Sequence, residues 1–231
     1  FIDDSIPILG VNSDPSRLEE IFGDEKKDER RSRGALCGIT ATNVHATLPQ
    51  ILYGDISPGL RSRIQCLVRS TYTETRLPPS LNDLLITQPI PAAVSRFRLA
   101  LCKGKAKPSF NINDDEDELF SFNVWSSGMW IATPSGSSAA IFNAGGFKMD
   151  IRSRNLQYMV REHMIEEGMT HHLKSAGHSI IRPDEMLKLR WNSQNGAVYV
   201  DGQHFKHNLE LGDEIRVDSH APYLKIFDQR S

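Results

Sequence analysis

The feature that most constrains the fold of this chain is a change of hydrophobic rhythm near residue 60. Before it, Ile6-Pro7-Ile8-Leu9-Gly10-Val11-Asn12 is a short apolar run ended by turn formers, which reads as a buried strand of a parallel sheet. Val44, Leu48, Ile51 and Leu52 then recur at helical spacing, with Gly54 as the stop. Pro49 falls inside that pattern, so the helix is expected to start near Thr47 or to kink at the proline. After residue 60 the period shortens to two. Ile64, Cys66 and Val68 alternate with other residues, as do Phe97, Leu99 and Leu101, and Val198 and Val200. Short apolar segments fill the rest: Leu84–Ile86, Phe120–Val124, Leu187–Trp191, Ile215–Val217 and Leu224–Phe227. Asn195-Gly196 between two of these strands predicts a tight hairpin. The second part is therefore expected to be an all-β sandwich.

Composition narrows the function classes. The chain has 231 residues, 39% hydrophobic and 24% charged, enough to bury a core in one large domain or in one domain and part of another. A net charge of −2 argues against a nucleic-acid partner or an anionic membrane surface. Cys37, Cys66 and Cys102 are odd in number and widely spaced, without CxxC. They read as buried thiols of a reducing compartment, so the expected location is cytoplasmic. A peroxisomal address is the alternative: Phe227–Ser231 carries no targeting tripeptide as written, and residues beyond it could. The mixed-charge stretch Arg17–Arg33 reads as a solvated loop, and Asn113–Glu118 as a solvated hairpin tip rather than a metal site. His171-His172 is read as surface, and no metal-ligating set is predicted.

Three segments can carry chemistry. Thr133-Pro134-Ser135-Gly136-Ser137-Ser138-Ala139-Ala140, closing on Asn143-Ala144-Gly145-Gly146, packs small residues and hydroxyls between an apolar strand and a helix start, where backbone N–H groups can approach a ligand closely. It lacks GxGxxG, the P-loop lysine and GxSxG, which disfavours a Walker NTPase and a nucleophile elbow. Asn82-Asp83 offers a donor and three acceptor oxygens, suited to a base edge and the vicinal hydroxyls of a ribose, or to an ordinary turn. Val200-Asp201-Gly202-Gln203 reads as a tight hairpin turn.

Together these segments resemble the NAD kinase family, and its plant-type NADH kinases in particular. The matching pieces, in the family's order, are Leu9–Pro15, Leu81-Asn82-Asp83, Thr133–Ala139, Ala144-Gly145-Gly146 and Val200–Gln203, with Pro91–Phe97 and Leu156–Glu162 resembling the plant branch. The resemblance implies an α+β chain. Residues 1–58 would be the C-terminal portion of an α/β nucleotide-kinase domain. Residues 59–231 would be an all-β sandwich that binds NAD(H), its last segment returning to the α/β domain, with the site in the cleft between them. It implies transfer of the ATP γ-phosphoryl group to the 2′-hydroxyl of the adenosine ribose of NAD(H), preferring NADH, with Mg2+ or another divalent cation, in a homodimer. Asn82 and Asp83 would hold the adenosine and its ribose. Thr133, Ser135, Gly136, Ser137, Ser138, Ala139, Ala140 and Asn143 would line the adenosine pocket, and Gln203 would lie near the nucleotide. Asn12, Asp14 and Ser127 would be nearby.

Departures from the family pattern sharpen the reading. The Gly-Gly-Asp-Gly phosphate-binding segment is not in this sequence, and the general base it carries is expected upstream of Phe1. Ser127 stands where an Asp is frequent, and Ala140 where a Tyr is, which removes a stacking ring worth ~1–3 kcal/mol unless another replaces it. Two other readings fit the same residues: a non-catalytic NAD(H)-binding module, and a lipid kinase of the related two-domain plan.

Overall fold

The computed structural model describes residues 4–12, 36–40, 42–104, 117–164 and 176–227. Asp14, the stretch 17–33, the acidic residues 113–116 and His171-His172 lie outside them. The chain divides into two units, one of residues 62–222 and one of residues 2–61 with 223–231.

In the latter unit, β1 (Ile8–Asn12) pairs in parallel with β2 (Cys37–Thr40) and with β16 (Leu224–Phe227), and β3 (Gly59–Arg61) runs antiparallel to β16. The N-terminal apolar run thus gives the expected parallel strand, but a half-exposed one: Val11 is 57% exposed. Gly10 is pressed so closely on β2 that a Cβ there would meet the Leu36 carbonyl oxygen at 2.4 Å. Helix α1 spans Val44–Tyr53, three residues earlier than its proline suggests, with Pro49 in its interior. The Asn43 Oδ1 accepts a 2.7 Å hydrogen bond from Thr40 N just before the helix, and Gly54 closes it at φ +84°. Pro49 lacks only the N–H that would have reached the His45 carbonyl.

The 62–222 unit is built of two six-stranded antiparallel sheets. One runs β11 (His178–Ile181), β10 (Leu156–Arg161), β9 (Gly128–Ala132), β6 (Asp83–Thr87), β13 (Asn195–Val200), β14 (Phe205–Glu210). The other runs β5 (Glu74–Arg76), β4 (Gln65–Arg69), β15 (Glu214–Asp218), β12 (Glu185–Trp191), β7 (Ser95–Lys103), β8 (Asp117–Ser126). Both give alternate residues to one buried cluster, including Leu84, Ile86, Ile131 and Val198 from the first and Phe97, Leu99, Leu189 and Trp191 from the second. Phe97 and Trp191 stack within it, their ring centroids 5.9 Å apart. This is the sandwich that the period-two pattern predicts, and the whole is α+β.

Two turn expectations are corrected. Asn195-Gly196 is not a hairpin turn: both residues belong to β13, and β12 and β13 lie in different sheets. Gly196 is small because a Cβ would stand 2.4 Å from the Trp191 indole. Of the acidic run, Asp117 and Glu118 already pair with Lys103 and Cys102 as strand residues rather than forming a tip.

Candidate functional site

The site lies within the 62–222 unit, on the face of the first sheet turned away from the core. Strand alternation points Leu84 and Ile86 inward and leaves Asp83 and Leu85 on the opposite face. Antiparallel register then aligns Trp130, Leu85 and Tyr199 in one row across β9, β6 and β13. An open pocket of about 490 Å³ sits over this row, lined also by Asn82 and Asp83, by Ala139 and Ala140, and by the Asp201-Gly202-Gln203 turn.

The Leu81-Asn82-Asp83 corner is gripped from both sides. On one side, Thr133 N donates to Asn82 O at 2.9 Å, Thr133 Oγ1 donates to Leu81 O, and Gly136 N donates to Thr133 Oγ1 at 3.1 Å. On the other, the Asp201 carboxylate accepts from Leu81 N (2.9 Å), Asn82 N (2.7 Å) and Asp83 N (3.1 Å), and Ser80 Oγ donates to it at 2.7 Å. The three segments read separately in the sequence form one hydrogen-bonded unit. Among the described residues, nothing bonds the Asn82 carboxamide or the Asp83 carboxyl, so both are available to a ligand. Burial, and then the charge of Asp201, push the Asp83 carboxyl up to about 6.

The small-residue segment divides by role. Thr133, Gly136 and Ser137 are buried and structural: Ser137 Oγ donates to Pro134 O at 2.8 Å and accepts from Met149 N at 2.9 Å. Ser135 is half-buried in the turn before the 3₁₀ segment Gly136–Ser138. Ser138, Ala139 and Ala140 are exposed at the start of helix α2 (Ala140–Asn143), and the two alanines wall the pocket. Asn143 is exposed at the far end of α2 and is not a pocket wall. Behind them Gln157 receives Phe147 N at 3.1 Å and donates to Phe147 O at 2.8 Å, holding the Gly145-Gly146 bend.

In sequence this chain is 43% identical over 228 residues to the NADH kinase of Arabidopsis thaliana, covering 98% of this chain and 67% of that protein. It is 38% identical over 229 residues to a probable NADH kinase of Oryza sativa subsp. japonica, covering 98% and 65%. The chain belongs to the NADH kinase family. It spans about two thirds of the length of those two relatives. No family model matches the sequence. Yeast NADH kinase, solved with NADH, shares the fold at a TM-score of 0.62 and 16% identity, covering 83% of this chain and 51% of that one.

The structure brings Asn82, Asp83, Ala139, Ala140 and Gln203 of this family member to one pocket. Ser127 is not there: it precedes the opposite end of β9, about 17 Å away by strand rise, where its carbonyl accepts from Thr87 Oγ1 at 2.8 Å and its hydroxyl bonds Glu162. Asn12 belongs to the other unit. Sequence reasoning missed Leu85, Trp130 and Tyr199, and it read Asp201-Gly202 as a turn without a role for the Asp201 side chain. Alternation around Asp83 could have found Leu85; the partners on β9 and β13 needed the register.

Proposed function

We propose that the full-length protein transfers the γ-phosphoryl group of ATP to the 2′-hydroxyl of the adenosine ribose of NAD(H), preferring NADH, and that this pocket positions that ribose. The observation that supports this is the pair of unbonded polar side chains, Asn82 and Asp83, on a main chain hydrogen-bonded from both sides, at the edge of an aromatic floor. A ribose hydroxyl is a poor nucleophile, so the reaction depends on placing it in line with the donor. Asp83 accepts from the vicinal hydroxyls, Asn82 meets the base or the sugar, and the adenine lies over Trp130 and Tyr199. Those rings stand in for the aromatic side chain that Ala140 does not provide. The names of the two plant relatives support NADH as the acceptor.

A divalent cation is the usual companion of a transferring phosphate. The described residues do not fit one: no three potential ligands converge, and both Asp201 oxygens are engaged by main-chain N–H groups. The triphosphate, its cation and the proton acceptor are assigned to parts of the full-length kinase other than this pocket, and a homodimer is proposed on the family resemblance.

The test is a coupled assay of the full-length protein with ATP and either NADH, NAD or a diacylglycerol in vesicles. Phosphorylation of NADH that falls at least tenfold in Asn82→Ala and Asp83→Ala, with unfolding midpoints retained, supports the reading. Unchanged turnover in both variants refutes the site. Turnover of the lipid alone refutes the acceptor.

A further inference from the structure

We infer that Asp201 is a positioning residue of this site: its carboxylate fills the nest formed by the consecutive N–H groups of Leu81, Asn82 and Asp83 and so fixes how the Asn82 and Asp83 side chains face the ligand. The identity of the ligand rests on the function proposed above; the positioning itself rests on geometry.

A run of successive main-chain N–H groups around a concave turn is an anion-binding shape. Here the anion comes from the chain itself, 118 to 120 residues away in sequence. Three of the four donors come from the main chain of the corner, so the bonds orient the backbone from which the two ligand-facing side chains spring. The fourth, Ser80 Oγ, lies 2.7 Å from Asp201 Oδ1 and 3.0 Å from Asp83 O, with its single proton serving either. The main chain cooperates, since Asp201 N donates to Asp83 O at 3.0 Å.

The cost of this arrangement is visible in the backbone. Asp201 has φ +50°, in the left-handed region, and Gly202 follows at φ +101°. A non-glycine residue there costs about 1–2 kcal/mol. An Asn or Gly would meet the turn's backbone need as well, so the turn alone does not call for a carboxylate. The three N–H groups do. With both oxygens so engaged, Asp201 acts through the corner rather than on the substrate. Its charge also faces Asp83 across the pocket edge. Among the described pocket residues the only other titratable group is the Tyr199 phenol, so removing the Asp201 charge has one carboxyl to act on.

The experiment compares wild type, Asp201→Asn and Asp201→Ala in the full-length protein by steady-state kinetics and hydrogen exchange. In Asp201→Ala the KM for NADH rises about tenfold or more, as expected for loss of charge-assisted hydrogen bonds, while the KM for ATP stays put. The amides of residues 81–83 lose protection and those of Leu187–Trp191 keep it. Asp201→Asn keeps an acceptor oxygen, so it retains part of that protection, and the acidic limb of its kcat/KM profile moves to lower pH. Unchanged exchange at residues 81–83 in Asp201→Ala overturns the inference, as does an unchanged KM for NADH in an active enzyme. If Asp201→Ala loses protection throughout, Asp201→Asn decides: an acidic limb and KM identical to wild type overturn the inference. A wild type that does not phosphorylate NADH refutes the proposed function, while the exchange data still decide the positioning.

Discussion

Gly136 lies against the backbone of Asn82 so closely that a Cβ on it would stand 2.1 Å from the Asn82 carbonyl oxygen and 2.5 Å from the carbonyl carbon. Both atoms are main chain, and neither can rotate away. Gly136→Ala must therefore displace the corner that carries Asn82 and Asp83. Overpacking of this kind costs about 1–3 kcal/mol. The expected outcome in the full-length protein is a lower unfolding midpoint and a Kd for NADH raised more than about tenfold. Calorimetric titration with NADH checks it, and wild-type affinity in this variant would show that the corner does not shape the site.

The Asp83 carboxyl gives a pH signature. Its value is raised from 3.8 to about 6, by burial first and by Asp201 second, so between those values the native state holds a proton the unfolded chain has released. Native stability contributed by this group is therefore present at low pH and declines as pH rises from about 4 to 6. The ionised form is the better acceptor for ribose hydroxyls, so NADH binding strengthens through the same window. Asp83→Asn should flatten both trends. Unfolding midpoints and NADH titrations at pH 4.5, 5.5 and 7 measure them, and a variant with the wild-type pH slope would reassign the group.

Much of this was legible in the sequence, and the rest was hidden for identifiable reasons. Period-two alternation at Phe97, Leu99 and Leu101 located inward-facing residues because one face of each strand is buried. Asn82-Asp83 and the segment from Thr133 stood out because polar and small residues interrupt apolar strands there. Asn195-Gly196 misled because its glycine answers a tertiary demand, the Trp191 indole, that local turn chemistry imitates. Asp201 looked like half of a turn pair, and its side-chain role depends on pairing with a strand more than a hundred residues earlier. Trp130 and Tyr199 were hidden by register, which alternation alone does not supply.

The aromatic floor makes a graded prediction. Trp130 and Tyr199 flank Leu85 in one cross-strand row beneath the pocket, and the Arg161 guanidinium lies 5.8 Å from the Trp130 ring centroid. Base–aromatic stacking contributes about 1–3 kcal/mol per base. Tyr199→Ala and Trp130→Ala should each weaken NADH by about five- to 150-fold on that scale, while Tyr199→Phe, which keeps the ring, should bind almost as wild type does. Competition between NADH and AMP supplies the control, since both carry the adenine and should lose affinity in parallel. Loss confined to NADH would place the base elsewhere.

Gly196 and Trp191 form the last pair, one that concerns stability rather than binding. Trp191 is fully buried, stacks on Phe97 and donates from Nε1 to Asn195 O at 3.2 Å. A Cβ on Gly196 would lie 2.4 Å from Cε2 and 2.5 Å from Cζ2 of that indole. Gly196→Ala should therefore cost about 1–3 kcal/mol, lowering the unfolding midpoint by several degrees. The relief is specific. In Gly196→Ala combined with Trp191→Leu the clashing ring edge is gone, so the double variant should be destabilised by less than the sum of the singles. NADH affinity per folded molecule should stay at the wild-type value throughout, because neither residue lines the pocket. Strict additivity in this cycle would mean that the glycine is not there for the indole.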